Sequence, residues 1–425
     1  MTIIEVSNIH FEFNFYNLKL AYLAAMLKRS CLGILLLGIL CGFTSAQKDT
    51  IRILQYNILR FPEGNSLKAP LLRPIVNYLQ PDLIGLNELT EASAIDSLKK
   101  YVFNDSVFGV TNWIQESELM GAMFYRKSKL RLASQFPIQT SPRFTNVYRF
   151  YSTNQNFESY PDTVWMTNML VHFKSSQGSD NENLRAQQAA DIRIYANNRH
   201  PSNNFILQGD LNLYSSDEAA WQNLRADGQA QFVDFINREG DWSNNVNFAD
   251  VHTQSPRTAS FDLGVTGGMD DRFDFILGTR FVRDGNYGLQ YIDGSYHTPG
   301  NDGEHYNTSI LANPQNTSAP DSVIQALHDL ADHLPVMAAF EFDYSAGFNA
   351  VNEHKEVVHC SGANFGLANP VPCHEIEIWN LLGERMPCME DIAWDNQNLK
   401  GGIYIIIPKN QEDGCRYKIV RMIND

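Results

Sequence analysis

Short apolar runs that stop abruptly on polar residues constrain this chain more than any other feature. The clearest is Phe205-Ile-Leu-Gln-Gly-Asp-Leu-Asn212. An apolar run of this length, ended by turn formers, reads as a buried strand. Gly209, Asp210 and Asn212 then fall at the sheet rim, where the backbone turns. Gly209 has no Cβ and would let a ligand come close, while an acid and an amide beside it suit the holding and orienting of water. Turn preference alone also puts Gly, Asp and Asn after a strand, so the weight of the reading rests on other stretches built the same way.

Those stretches recur along the chain. Ile51 to Asn57 has the branched and aromatic content of a strand and ends in Asn57. A helical pattern follows, with Leu72, Ile75, Val76 and Leu79 on one face and Pro74 expected near its first turn. Pro81 to Glu88 is a second buried run, ending in Glu88. Gly121–Tyr125 and Leu130–Phe136 read as a meander or hairpin. Val164 to Phe173 reads as a long strand, with His172 on the face of Asn168 and Leu170 by the two-residue period. Leu184 to Asn197 reads as a helix, and Ser215-Ser-Asp-Glu218 as a capping box for another through Trp221 and Leu224. Strands alternating with helices indicate an α/β fold.

Two stretches supply a charged pair. Asp274 lies in the apolar run Arg272-Phe-Asp-Phe-Ile-Leu277 and needs a partner if buried, because an unpaired buried carboxylate is costly. His333, in Ala331-Asp-His-Leu-Pro335, is the natural partner; a carboxylate orients such a histidine and raises its basicity. Hard cations take oxygen ligands, often one or two carboxylates with phosphate and water. Asn57 and Glu88 at adjacent strand ends offer such oxygens.

Taken in order, these motifs resemble those of the endonuclease/exonuclease/phosphatase superfamily over about residues 50–344. Asn57 and Glu88 match its metal-site positions, and His172 its strand histidine. Gly-Asp-Leu-Asn matches its phosphate loop, Arg-Phe-Asp-Phe its supporting aspartate, and Asp332-His333 its terminal pair. The resemblance implies a four-layer α/β sandwich of the DNase I type. It implies a hydrolase of phosphate esters in which Asn57, Glu88 and Asp332 bind Mg2+ or Mn2+. Asp210 and Asn212 would position water and phosphate, and His172 would donate to the phosphate. His333, oriented by Asp274, or else Asp210 itself, would take the proton. Asn87 stands where Gln is commoner in the family, and Ala331 where Ser is commoner. The substrate is expected to be DNA or RNA, with a lipid headgroup or small phosphate ester as the alternative and an idle binding protein as the third reading. The long polar loop Tyr296–Tyr306 is a candidate for shaping the pocket or holding a structural Ca2+.

The flanks carry different signals. Lys28 and Arg29, an apolar run from Cys31 to Cys41 and small residues up to Ala46 resemble a secretory signal peptide, so residues 1–46 are set apart. Residues 345–370 read as a linker. Residues 371–425 alternate like strands, and Asn-Leu-Leu-Gly with Gly-Gly-Ile-Tyr resembles the C-terminal sorting domain of type IX secretion, a small C-terminal β-sandwich. That likeness implies export to the cell surface or beyond, with the secretion machinery as a partner of an expected monomer. Cys360, Cys373, Cys388 and Cys415 all lie in the C-terminal part; in an oxidising compartment they suggest two disulfides in one of three pairings. A net charge of −15 argues against gripping nucleic acid chiefly by phosphate neutralisation, yet suits an acidic pocket that recruits a divalent ion.

Overall fold

A computed structural model describes residues 48–343 except 64–67, 116, 154–162 and 261–263, together with four strand segments beyond them. In chain order the elements are β1 (Lys48–Phe61), α1 (Lys68–Leu79), β2 (Leu83–Leu89), α2 (Ser93–Tyr101), β3 (Phe108–Val110), β4 (Met120–Arg126), β5 (Leu130–Ile138), β6 (Thr145–Ser152) and β7 (Trp165–His172). There follow α3 (Ser179–Asn197), β8 (Phe205–Asp210), α4 (Ala219–Arg225), β9 (Phe232–Asp234), β10 (Asp274–Thr279), α5 (Arg280–Asp284), β11 (Leu289–Tyr291), α6 (Asp321–Leu330) and β12 (Val336–Asp343).

Strand periodicity builds the layers. Two six-stranded sheets form, in the orders β11-β12-β1-β2-β4-β3 and β5-β6-β7-β8-β10-β9. Along β1, Ile51 and Ile53 join a cluster with Leu170, Ile206, Ile276, Ala338 and Phe340 between the sheets. Leu54, Tyr56 and Ile58 point the other way, against Leu72 and Ile75 of α1, Leu98 of α2 and Leu327 of α6. On the second sheet Met169, Val171, Leu207 and Leu277 pack outward on Ala189 and Ile192 of α3 and Trp221 of α4. Helices, sheet, sheet and helices therefore make four layers, the α/β sandwich expected. Full burial of apolar side chains on both faces of each central strand, at about 1.5–3 kcal/mol apiece, is the main force holding them together.

The same alternation prepares the site. Gln55 and Asn57 continue the inward row of Ile51 and Ile53; Gln208 and Asp210 continue that of Ile206; His172 follows Asn168 and Leu170. Below the rim the inward row is polar and buried: the Gln55 amide donates to Asn87 Oδ1 at 2.6 Å, and Asn168 Nδ2 lies 3.4 Å from Gln208 Oε1.

Several local expectations change. β4 and β5 are not a hairpin: β4 pairs with β2 and β3 in one sheet, β5 with β6 in the other, so the chain crosses between sheets at residues 127–129. Pro74 lies inside α1, six residues past its start, and Pro70 occupies the first turn instead. The capping box does not form, because Glu218 accepts from Tyr214 N at 2.9 Å and from Arg185 Nε at 2.7 Å. Gly209 is required by the close approach of β7: a Cβ there would lie 2.0 Å from the Val171 carbonyl oxygen.

In the C-terminal region the described strands are β13 (Val358–Cys360), β14 (Ile376–Asn380), β15 (Gly402–Pro408) and β16 (Lys418–Met422). They form one four-stranded sheet in the order β13-β16-β15-β14, not two facing sheets among the described residues. Its edge strand β13 falls within the stretch expected to be a linker. The signal-like segment 1–46 and Cys373, Cys388 and Cys415 lie outside the described residues.

Candidate active site

Register brings the polar rim together. In the second sheet His172 pairs with Asp210 across the parallel β7/β8 ladder, and Asp210 with Asp274 across the antiparallel β8/β10 ladder. Three functional groups thus lie in one row. Asn57 and Glu88 come from the facing sheet. Simple alternation would turn Glu88 outward with Leu86 and Ile84. Its backbone instead has φ 63°, where the β2 pairing shifts register, and this left-handed kink brings the carboxylate inward. A non-glycine residue held there costs about 1–3 kcal/mol, a strain of the kind found at functional sites.

Asn57 is the hub. Its Nδ2 donates to Glu88 Oε1 at 3.0 Å and to Asp210 Oδ2 at 3.1 Å, and lies 3.5 Å from His333 Nε2. Its Oδ1 accepts from Leu59 N at 3.1 Å. The amide therefore turns its nitrogen, not its oxygen, towards the carboxylates, whereas a metal ligand would need the oxygen there. Asp332, the third expected ligand, accepts from Val265 N at 2.8 Å through Oδ2. Among the described residues, the group whose candidate ligand atoms all lie within 4.8 Å of one another is Glu88, His172 and Asp210. Glu88 belongs to it as expected, and the other two members come from the catalytic set. Two carboxylates and an imidazole, crowded and largely buried, are a donor set that fits a small divalent cation.

Asp274 and His333 meet as a buried pair, with His333 Nδ1 2.6 Å from Asp274 Oδ2. Thr253 Oγ1 accepts from the backbone N–H groups of Phe273 and Asp274 at 3.0 and 3.2 Å, fixing where β10 begins. Burial works against charge on His333, but the Asp274 carboxylate, helped by Asp210 and Asp332, holds its pKa well above the usual histidine value. His172 is opposite. It lies 3.5 Å from Asp210 and 3.9 Å from Glu88, contacts that favour charge, yet burial and then the positive charges of Arg143 and His333 hold its pKa well below the usual value. Burial pushes Asp210 up to about 7; the His333 charge pulls against this, and Asp274 and Glu88 add to it. Asn212, at φ 49°, donates its backbone N–H to Asp210 Oδ1 at 3.0 Å and its amide to the Phe173 carbonyl at 3.2 Å.

Gln254 is a residue the sequence reading missed. Its amide nitrogen lies 2.8 Å from His333 Nε2. A single glutamine in a polar loop carries no pattern that points to it. The loop Tyr296–Tyr306 is tied down by protein contacts: Asn301 donates to the carbonyls of Ala249 and His252 at 2.7 and 2.8 Å, and His305 Nδ1 lies 2.8 Å from Asp302 Oδ1.

A model of the Endonuclease/Exonuclease/phosphatase family matches residues 54–297, more than half of the chain and every site residue from Asn57 to Asp274. The chain belongs to the endonuclease/exonuclease/phosphatase family. Members of this family are phosphoesterases and nucleases, generally dependent on a divalent metal. Among similar solved structures is a D. rerio TDP2 humanized by 14 mutations, at 14% identity and TM-score 0.46, covering 68% of this chain and 98% of that one. The human Nocturnin catalytic domain with bound sulfate has 14% identity and TM-score 0.44, covering 70% and 98%. A mannosyl-6-phosphatase from Bacteroides thetaiotaomicron has 12% identity and TM-score 0.43, covering 68% and 99%. No curated protein matches the sequence of this family member.

Proposed function

We propose that this protein is a divalent-metal-dependent phosphodiesterase that acts outside the cell, with nucleic acid as its substrate. The observation that carries the hydrolytic reading is the buried Asp274–His333 pair facing Asp210, with Glu88 and His172 completing the cluster. Glu88 would hold Mg2+ or Mn2+, with the side chains of Asp210 and His172 crowded beside it. When bound, such an ion supplies charge stabilisation to the phosphate and its leaving oxygen.

The chain's own residues divide the proton work. Burial raises the Asp210 pKa to about 7, which suits a group accepting a proton from water at neutral pH and supports Asp210 as the general base. His333, held charged by Asp274, donates from Nε2 to a phosphoryl oxygen as negative charge grows there. Asn57 keeps Glu88 and Asp210 apart by donating to both, and Asn212 fixes the Asp210 rotamer through its backbone N–H.

The nuclease and export readings rest on the family and on the flanking segments. One observation favours a less charged substrate, a lipid headgroup or small phosphate ester. Asp270 and Asp271 adjoin the site through their backbone bonds to Gln254, in a chain of net charge −15. Incubation with Mg2+ and, in turn, plasmid DNA, RNA, sphingomyelin and a phosphate monoester separates these substrates. The expected result is cleavage of DNA or RNA, with kcat reduced about 10²–10⁴-fold in both Asp210→Asn and His333→Ala. The rate should rise with pH near 7 as Asp210 loses its proton, and fall again above the His333 transition. Wild-type turnover in either variant overturns these roles, and cleavage of sphingomyelin alone overturns the nuclease reading.

A further inference from the structure

Gln254 stands on a fixed crossbar between the two halves of the charged pair. Its N–H donates to the Asp271 carbonyl at 3.0 Å, its own carbonyl accepts from Asp270 N at 2.8 Å and Asp271 N at 3.0 Å, and Leu334 N donates to the neighbouring Thr253 carbonyl at 2.6 Å. The side chain is largely buried and ends on His333 Nε2. That ring nitrogen faces the acidic cluster, 3.5 Å from Asn57 Nδ2 and 3.8 Å from Asp210 Oδ2, while Nδ1 is committed to Asp274.

A single ring nitrogen makes one good hydrogen bond along its axis. Turned as found, the Gln254 amide donates to an unprotonated Nε2; turned over, it accepts from a protonated one. In both states it occupies the position through which His333 would meet a phosphate. A phosphoryl oxygen bonded to Nε2 must displace the amide, and an amide that started about 2.8 Å from the same ring nitrogen needs only a side-chain rotation to present its N–H to that oxygen.

We propose that Gln254 is a catalytic amide that changes partner: it holds His333 Nε2 in the free protein and passes to a non-bridging phosphoryl oxygen when a phosphate ester binds. This rests on the hydrolytic reading of the site. It makes Gln254 a second neutral donor to the phosphate beside the charged one, aimed by a rigid backbone.

Three forms of the full chain test this: wild type, Gln254→Leu and Gln254→Glu, with bis(p-nitrophenyl) phosphate as substrate and inorganic phosphate as inhibitor. Gln254→Leu removes the phosphate contact; kcat should fall about tenfold and inhibition by phosphate should weaken about as much. Gln254→Glu has the same shape and still accepts from Nε2, but it binds the charged ring permanently and repels phosphate, so kcat should fall about a hundredfold. A residue that merely props the ring would lower kcat in Gln254→Leu and leave inhibition by phosphate unchanged. Unchanged phosphate inhibition in that variant overturns the proposal. If Gln254→Leu does not fold, Gln254→Met, which also removes the donor without adding a charge, decides in its place. If the wild type cleaves nothing, the hydrolytic reading fails, and calorimetric binding of inorganic phosphate to wild type and Gln254→Met still decides the role of Gln254: equal affinity rejects it, loss of affinity in the variant supports it.

Discussion

At Asp210 the cost of building the pocket can be read from one carboxyl group. Its pKa in the folded protein is raised from 3.8 to about 7. The folded state therefore binds more protons than the unfolded chain between those values, and stability falls as pH rises through that window. His333 acts in the same direction, since its raised pKa gives stability that is complete below its unfolded value and lost as pH rises through the folded one. These two groups therefore favour the metal-free protein at pH 5 over pH 8, while His172, with its lowered pKa, works the other way. Asp210→Asn should lose less over that interval, by at least about 1 kcal/mol, because one of the two contributions is gone. Urea denaturation at the two pH values checks this, and an unchanged pH dependence would show that Asp210 is ionised normally. Part of this site was legible in the sequence. Asp274 lies among Phe273, Phe275 and Ile276, so it had to find a partner, and His333 was the imidazole available. The direction of the Asn57 amide was not legible, because it depends on where the Leu59 N–H falls, and Leu59 and Arg60 have φ of 51° and 42°.

Among the elements, the sheet faces were legible and the connections were not. The two-residue period sorts Asn57, His172 and Asp210 to one side of their strands because their neighbours are unambiguously apolar. The turn after β4 has no such signal: a short polar turn joins two strands equally well within one sheet or between two, and only the packed core chooses. Pro74 misled for a related reason. A proline fits a first turn best, but α1 starts early enough to place it inside, where burial of Leu72, Ile75 and Val76 outweighs the lost bond. The joint between the sheets offers a direct test. A Cβ on Gly85 would lie 2.0 Å from Gln208 Nε2 and 3.0 Å from Leu170 Cδ1, and Gln208 is fully buried. Gly85→Ala should cost about 1–3 kcal/mol by overpacking. Gln208 is two residues from Asp210 on the same face, so turnover should fall as well. Denaturation and kcat measured together check this; a stable, fully active variant would mean that the sheets slide freely.

For the whole molecule, the crowding of Glu88, His172 and Asp210 makes ion binding and folding a linked equilibrium. Magnesium should raise the melting temperature by several degrees at about a hundred times its dissociation constant, where linkage supplies roughly 2.7 kcal/mol. The rise should be larger at pH 8 than at pH 5, because an ionised Asp210 adds negative charge beside the ion's site, and chelation should reverse it. An equal rise at both pH values would place the ion elsewhere.

The order of strands has a consequence for how the chain comes off the ribosome. β1 has β2 on one side and β12 on the other, and β12 ends nearly three hundred residues later, at Asp343. Until that segment emerges, the first sheet carries an open hydrogen-bonding edge at what will become its middle, and six strands of the other sheet are made in the interval. A nascent or truncated chain lacking Val336–Asp343 exposes a long apolar ribbon ready to pair with its neighbours. Such a polypeptide gains from being kept extended until synthesis is complete.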